Sequence, residues 1–394
     1  MIGTFWTITF INFFLTGIFF HYRNIVKSIS VIFVFILFLF FLLLSIFESY
    51  LIIDQYRKAK LPQAYSDKET SDYPYDINRK PFFVFSEFGV QPLPGIYRHN
   101  LYRPNDEEIF NVSYVIEQNR FRETPKYNGK KAISVNFFGG SWVFGQGVDQ
   151  HQTMAAYLSN LNSKVDSKNF GIGGWGVHNA LAVLESDVDT TGNLNILITA
   201  PWHSERAKCK KGQSAVEKPL YVLDEYEIVR RNKGIPYYRK GVLVKAEFGT
   251  CRDIEHAGEV IPNYEKFLNK SLMGKKINLI ISKILEQDSD IELYIGMIQK
   301  MEKISNENNQ EFLVGFVRAN PEYFFGNWSN DTIIQEIQKS GIDIIDLTLF
   351  PETRNGNSYV IDDIYEGHPS PLANKRRANR ISDYIREKFN LIED

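Results

Sequence analysis

The chain has 394 residues, 44% hydrophobic and 14% aromatic, with 45 Lys and Arg against 47 Asp and Glu for a net charge of -2. That length holds a membrane anchor plus one large domain or two smaller ones, and a near-neutral balance without a long basic run speaks against a nucleic-acid partner. The two cysteines, Cys209 and Cys251, have no zinc-ligand spacing; they pair in an oxidising compartment and are otherwise two unrelated thiols.

Residues 1–20 carry no charged side chain, and a second uncharged run rich in Phe, Leu, Ile and Val extends from Ser28 to Phe47. Each is long enough to cross a bilayer, so the spacing predicts two transmembrane helices joined by the turn His21 to Lys27, an anchor over 1–53. A cleaved signal peptide fits poorly, because neither a basic start nor a small-residue cleavage site is present. Two crossings leave both termini on one side. Arg23 and Lys27 in the turn favour a cytoplasmic turn and an exported large domain, while Arg57, Lys58 and Lys60 pull the other way. The expectation is an integral protein of the cell membrane whose large domain is periplasmic or extracellular.

Residues 54–90 are polar, with Pro62, Pro74 and Pro81, and read as a tether into a domain over 91–394. From Phe83 to Thr124, aromatic and β-branched residues between turn formers predict short lead-in strands. Ile133 to Phe138 reads as a buried strand stopped by Gly139-Gly140, with Ser141 directly after it. A serine on a tight turn at the carboxyl edge of a sheet is a candidate nucleophile; the other reading makes it the cap of the next helix. A helix follows over Thr153 to Leu161. Gly171, Gly173, Gly174 and Gly176 then precede a helical pattern from Val177 to Leu184, and such a loop lets backbone amides approach a ligand. Its spacing differs from the dinucleotide fingerprint, and a tight loop with no ligand is the alternative.

Leu194 to Thr199 is another buried strand, ending in Ala200 to Arg206. Residues 207–262 break the rhythm and read as an insertion over the sheet edge, a substrate-binding wall. Helical periodicity returns over 264–285 and 291–306, followed by a strand at 311–317, a helix at 332–339, a strand at 342–347 and a basic closing helix at 370–389. Strands alternating with helices predict a parallel sheet covered on both faces. Before the closing helix, Glu366-Gly367-His368-Pro369-Ser370 places a histidine and a carboxylate in one loop, where they fit the base and orienting acid that a hydroxyl nucleophile needs.

Gly139-Gly140-Ser141 with Phe144-Gly145-Gln146-Gly147-Val148, Asn169 through Gly174, and Glu366 through Ser370 together resemble the blocks of the SGNH/GDSL hydrolase superfamily, over about 130–394. Asn119-Arg120-Phe121-Arg122 resembles the lead-in of bacterial members. The resemblance implies a three-layer α/β fold with a parallel sheet. It also implies Ser141 as nucleophile with its own amide as first oxyanion donor, Gly174 as second donor and His368 as base. The family's acid stands three residues before the histidine, a place held here by Tyr365, so Glu366 is the first choice and Asp363 or Asp362 are alternatives. No Gly-x-Asn-Asp block occurs, and His203 is the candidate for the missing donor, with a structural His203 or an Arg206 bound to an acidic substrate group as competitors.

These residues imply a membrane-anchored serine esterase or O-acyltransferase that needs no metal or cofactor. Its expected substrates are acyl esters, acetyl above all, of cell-envelope or secreted carbohydrate, with Trp142, Trp175 and Trp202 available for stacking on sugar rings. A catalytically silent SGNH-fold glycan-binding or assembly protein is the alternative, favoured by the displaced acid and missing block. A lipase ranks last, because the 207–262 insertion is strongly charged. Acyl group, acceptor and oligomeric state are not legible.

Overall fold

A computed structural model describes parts of 36–53, then 83–86, 88–127, 132–206, four short strands between 221 and 245, 291–319, 328–349, 359–362 and 366–391. The chain divides into two compact units, one of Met1–Pro62 with Val260–Glu286 and one of Gln63–Glu259 with Gln287–Asp394. In the first, the described residues of 36–53 are helical and expose Ile36, Leu39, Phe40, Leu43, Ile46, Phe47 and Tyr50. The first predicted membrane helix, the turn, the start of the second helix, most of the tether, both cysteines, Asp363 and the helix at 264–285 lie outside the described residues. Among those described, no helix is long and apolar enough to cross a membrane.

The second unit is built on five strands: β5 (Ile133–Gly139), β6 (Val165–Gly171), β7 (Leu194–Thr199), β12 (Glu311–Phe316) and β13 (Asp343–Asp346). All neighbours pair parallel, in the order β6-β5-β7-β12-β13. The chain therefore winds one way from β5 to β6 and the other way from β7 onward. The carboxyl ends of β5 and β7 flank that reversal, the place where open parallel sheets leave a crevice for ligands.

Alternation along the strands feeds two cores. Val135, Phe137, Ile196, Ile198 and Leu313 face one side, against α2 (Met154–Leu161) and α7 (Pro371–Lys388). Phe138, Leu197, Phe312, Val314 and Phe316 face the other, against α3 (Val177–Leu184), α5 (291–307) and α6 (Asn330–Lys339). The result is the α/β, three-layer arrangement with a parallel sheet that the alternating pattern predicts. Local signals set the helix starts: Thr153 accepts from Ala156 N, Ser329 from Thr332 N, and Ser370 from Ala373 N with Pro371 in the first turn.

Two elements differ from expectation. Residues 165–171 form β6, where the sequence reads as the start of a glycine loop. β6 is the edge strand; Ser167 and Asn169 take the buried positions where an apolar run is expected, which hides the strand from a hydrophobic pattern. His368 stands on a strand, not a loop, because β14 (Val360–Asp362) and β15 (Glu366–Pro369) pair antiparallel. The insertion contains two hairpins, β8–β9 (Tyr221–Asp224, Glu227–Arg230) and β10–β11 (Pro236–Arg239, Val242–Lys245). A lead-in hairpin, β1–β2 (Phe83–Ser86, Gly89–Pro92), begins within the segment read as tether.

The second lead-in hairpin, β3–β4 (Gly95–Tyr102, Glu108–Ile116), buries His99 against Phe110 and the Tyr114 hydroxyl, 2.9 Å from His99 Nδ1. Tyr114 Oη accepts the Gly147 amide at 2.8 Å, leaving its own proton for a neutral His99. Burial first, then the His368 charge, push the His99 pKa down from 6.5 to about 3. Between those values the unfolded chain takes up a proton that the fold refuses, so stability is kept above pH 6.5 and lost on acidification, at up to about 1.4 kcal/mol per pH unit. Urea unfolding between pH 7 and 4 is expected to show this slope, flattened in His99→Gln; an unchanged slope in that variant would assign the acid sensitivity elsewhere.

Candidate active site

Ser141 opens α1 (Ser141–Phe144) at the carboxyl end of β5 and is 8% exposed. Gly140 before it admits no side chain: a Cβ there would stand 2.8 Å from the Trp175 carbonyl and 3.0 Å from Arg206 Nη1. The short helix is held from three directions. Gly145 N donates to Ser141 O at 2.9 Å, with Gly145 in the left-handed conformation, and Asn169 Nδ2 donates to Val143 O at 2.8 Å. Arg122, 1% exposed, donates to the carbonyls of Phe144, Gly145 and Val148 and to Gln150 Oε1, at 2.6 to 3.0 Å.

The glycine loop follows β6. Gly174 has φ +78°, a conformation costly for any residue with a Cβ, while Trp175 N closes the turn on Ile172 O at 3.1 Å. The Ser141 and Gly174 amides donate to no protein acceptor among the described residues. The loop that carries the second amide reaches Gly140 through the Trp175 carbonyl, and free amides of this kind are what a carbonyl oxygen gaining charge requires.

The end of β7 supplies the opposite wall. Thr199 Oγ1 lies 3.1 Å from His203 Nδ1 and 3.0 Å from the Tyr294 hydroxyl. Tyr294 is fully buried on α5, and Thr199 is its hydrogen-bonding partner among the described residues. A buried phenol leaves its proton unsatisfied unless it donates, so Tyr294 donates to Thr199 and Thr199 to His203 Nδ1. The His203 proton then sits on Nε2, 3.7 Å from where a Gly140 Cβ would be. Burial, and the Arg206 and His178 charges after it, hold His203 well below its ordinary pKa and hence neutral.

Ser141, Trp142, Trp202, His203 and Arg206 line one pocket with Gly140, Thr199 and apolar residues of the sheet. Trp142 is fixed edge-on against Trp202, with ring centroids 5.6 Å apart, and the Arg377 guanidinium lies 4.8 Å from its centroid. Trp175 is instead core: it is 3% exposed and its indole N–H donates to Val90 O.

His368 lies on β15, which runs beside α1. Its Nδ1 is hydrogen-bonded to Glu366 Oε1, which also accepts the His368 amide at 3.2 Å. Asp362 is engaged otherwise, taking the Arg103 guanidinium at 2.6 and 3.1 Å. Asp363, the other alternative acid, lies outside the described residues. Ser141 and His368 share no hydrogen bond in this structure. Sequence reasoning brought Ser141, Gly174, His203, Glu366 and His368 forward; Ser141 and His203 line one pocket after β5 and β7, Gly174 lies in the loop after β6, and Glu366 and His368 stand on β15. It passed over Thr199 and Tyr294, 95 residues apart, because only the folded chain brings their hydroxyls together.

No protein-family model matches the chain, and neither does any curated protein. Solved structures do. A lipolytic protein of the G-D-S-L family from Desulfitobacterium hafniense DCB-2 is 11% identical, covering 64% of this chain and 98% of its own at a TM-score of 0.34. A G-D-S-L lipolytic protein from Veillonella parvula DSM 2008 is 12% identical, covering 66% and 100% at 0.32. A mutant acetyl-xylooligosaccharide esterase from a Geobacillus is 12% identical, covering 66% and 94% at 0.33.

Proposed function

We propose that this chain is a serine ester hydrolase of the SGNH/GDSL kind, acting through an acyl-serine intermediate. The supporting observation is the pocket at the β5/β7 crevice, lined by a serine with a free amide and by a neutral imidazole, with the free Gly174 amide in the adjoining loop after β6. In this reading His368 Nε2 takes the Ser141 proton, while Glu366 holds Nδ1 and balances the imidazolium that forms. The serine attacks the ester carbonyl. The Ser141 and Gly174 amides and His203 Nε2–H then receive the oxyanion, each donor contributing on the order of a hundredfold in rate. His368 returns the proton to the leaving alcohol, and water, or a second alcohol in a transferase, reverses the sequence.

Carbohydrate O-acyl esters are the proposed substrates, because Trp142 and Trp202 offer fixed aromatic surface within the pocket. The two uncharged N-terminal runs support a membrane anchor, and the basic turn between them supports an exported catalytic domain. A fluorophosphonate probe, which bonds only to an activated serine, is expected to label the full chain on the peptide carrying Ser141 and to leave Ser141→Ala unlabelled. Absence of labelling would sink the hydrolase reading. It would favour a silent glycan-binding protein, which the missing Ser141–His368 hydrogen bond also suits.

A further inference from the structure

Arg206 ends α4 (His203–Arg206), half-buried in the wall of the Ser141 pocket. Its guanidinium has five N–H donors, and among the described residues one acceptor meets them, the Trp175 carbonyl at 2.6 Å from Nη1. Among the described residues no Asp or Glu lines the pocket, and the imidazole beside it is neutral. Burial lowers the Arg206 pKa, with no carboxylate among the described residues offsetting it, yet a guanidinium keeps its charge in proteins.

Other arginines of the fold contrast with it. Arg103 pairs with Glu107 and Asp362, and Arg318 with Asp331 and Asp346. Arg377 also meets no carboxylate among the described residues, but it is 4% exposed and packed against Trp142. Arg206 alone among these opens on the crevice that holds the nucleophile. Its Nη1 and His203 Nε2 approach the same point over Gly140, at 3.0 and 3.7 Å from a Cβ built there. An unpaired cation is expensive to keep away from water, and its fork geometry suits two oxygens of one anion.

We infer that Arg206 is a specificity-determining residue that binds an anionic group, carboxylate or phosphate, carried by the substrate close to its ester. The substrate class is therefore an acylated acidic carbohydrate, such as an O-acylated uronic acid or sugar phosphate. The inference deepens the proposed esterase function and rests on it for the ester, but not for the anion.

Calorimetry on the full chain carrying Ser141→Ala tests anion binding without turnover, using D-galactose, D-galacturonate and D-galactose 6-phosphate. At least one acidic sugar is expected to bind ten times or more tighter than galactose, and which one does so separates carboxylate from phosphate. Adding Arg206→Gln is expected to erase that preference, and Arg206→Lys to restore part of it, since charge returns without the fork. Equal affinity for the three sugars, no binding of any, or a preference that survives Arg206→Gln in protein with an unchanged melting temperature would overturn the inference. Hydrolysis of p-nitrophenyl acetate by the unsubstituted chain reports separately on the esterase reading. An inert enzyme that prefers acidic sugars fails only the esterase reading, and an active one without the preference fails only this inference.

Discussion

Replacing Ser141 with alanine is expected to lower kcat for p-nitrophenyl acetate by about 10⁴-fold or more, and His368→Ala by nearly as much. The two substitutions remove one event. Without the hydroxyl there is nothing to acylate, and without the imidazole nothing accepts its proton, so the double variant is expected to be no slower than either single one. A remnant above the uncatalysed rate is expected in all three, because the donors at Ser141, Gly174 and His203 still polarise a bound carbonyl. Glu366→Gln keeps the shape but not the charge facing Nδ1, and a smaller loss, about 10 to 100-fold, is expected there. Stopped assays of purified full-length variants decide it. Retention of wild-type turnover in Ser141→Ala would place the chemistry on another residue.

Arg122→Ala is expected to cost about 3 to 5 kcal/mol of folding stability, the largest loss among the single substitutions considered. Removing a 1%-exposed guanidinium takes a donor from the carbonyls of Phe144, Gly145 and Val148, leaving Gly145 O only the Val148 amide at 3.3 Å, and withdraws a cation from the Tyr114 and Phe144 rings, 4.5 and 5.2 Å from its centre. Arg122→Lys recovers little, since one ammonium does not span carbonyls four residues apart. Because those carbonyls belong to the segment that ends α1, activity is expected to fail at temperatures where the sheet still stands. Thermal denaturation followed by circular dichroism, alongside an activity melt, reads both effects. A melting temperature within a degree or two of wild type would remove Arg122 from this role.

The sheet was legible where strands are central. Ile133 to Phe138 and Leu194 to Thr199 are flanked by strands on both sides and covered on both faces, so nearly every position is buried and most are apolar. β6 escaped because an edge strand satisfies itself partly through polar residues, Asn169 binding both Val143 O and the Gly171 amide. The Ser141 and Gly174 turns were readable because glycine reports a backbone requirement directly. The pairing of Glu366 with His368 followed from sequence proximity, since two residues on one face of a short strand meet whatever the rest of the chain does. Arg122 was noticed in sequence but not for its bonds, because its acceptors are main-chain atoms that no residue type announces. The Tyr294 hydroxyl was invisible for a related cause: on a helical pattern it counts as one more apolar position.

The Tyr294, Thr199 and His203 hydrogen bonds form a line whose direction is set at its deep end. Turning it round would require the phenol proton to find a second acceptor, and among the described residues Thr199 is the one it meets, so the imidazole at the shallow end behaves as a fixed dipole and not as a titrating group. The Nε2 hydrogen at the crevice is thereby oriented by a tyrosine that lies 95 residues from Thr199 in sequence.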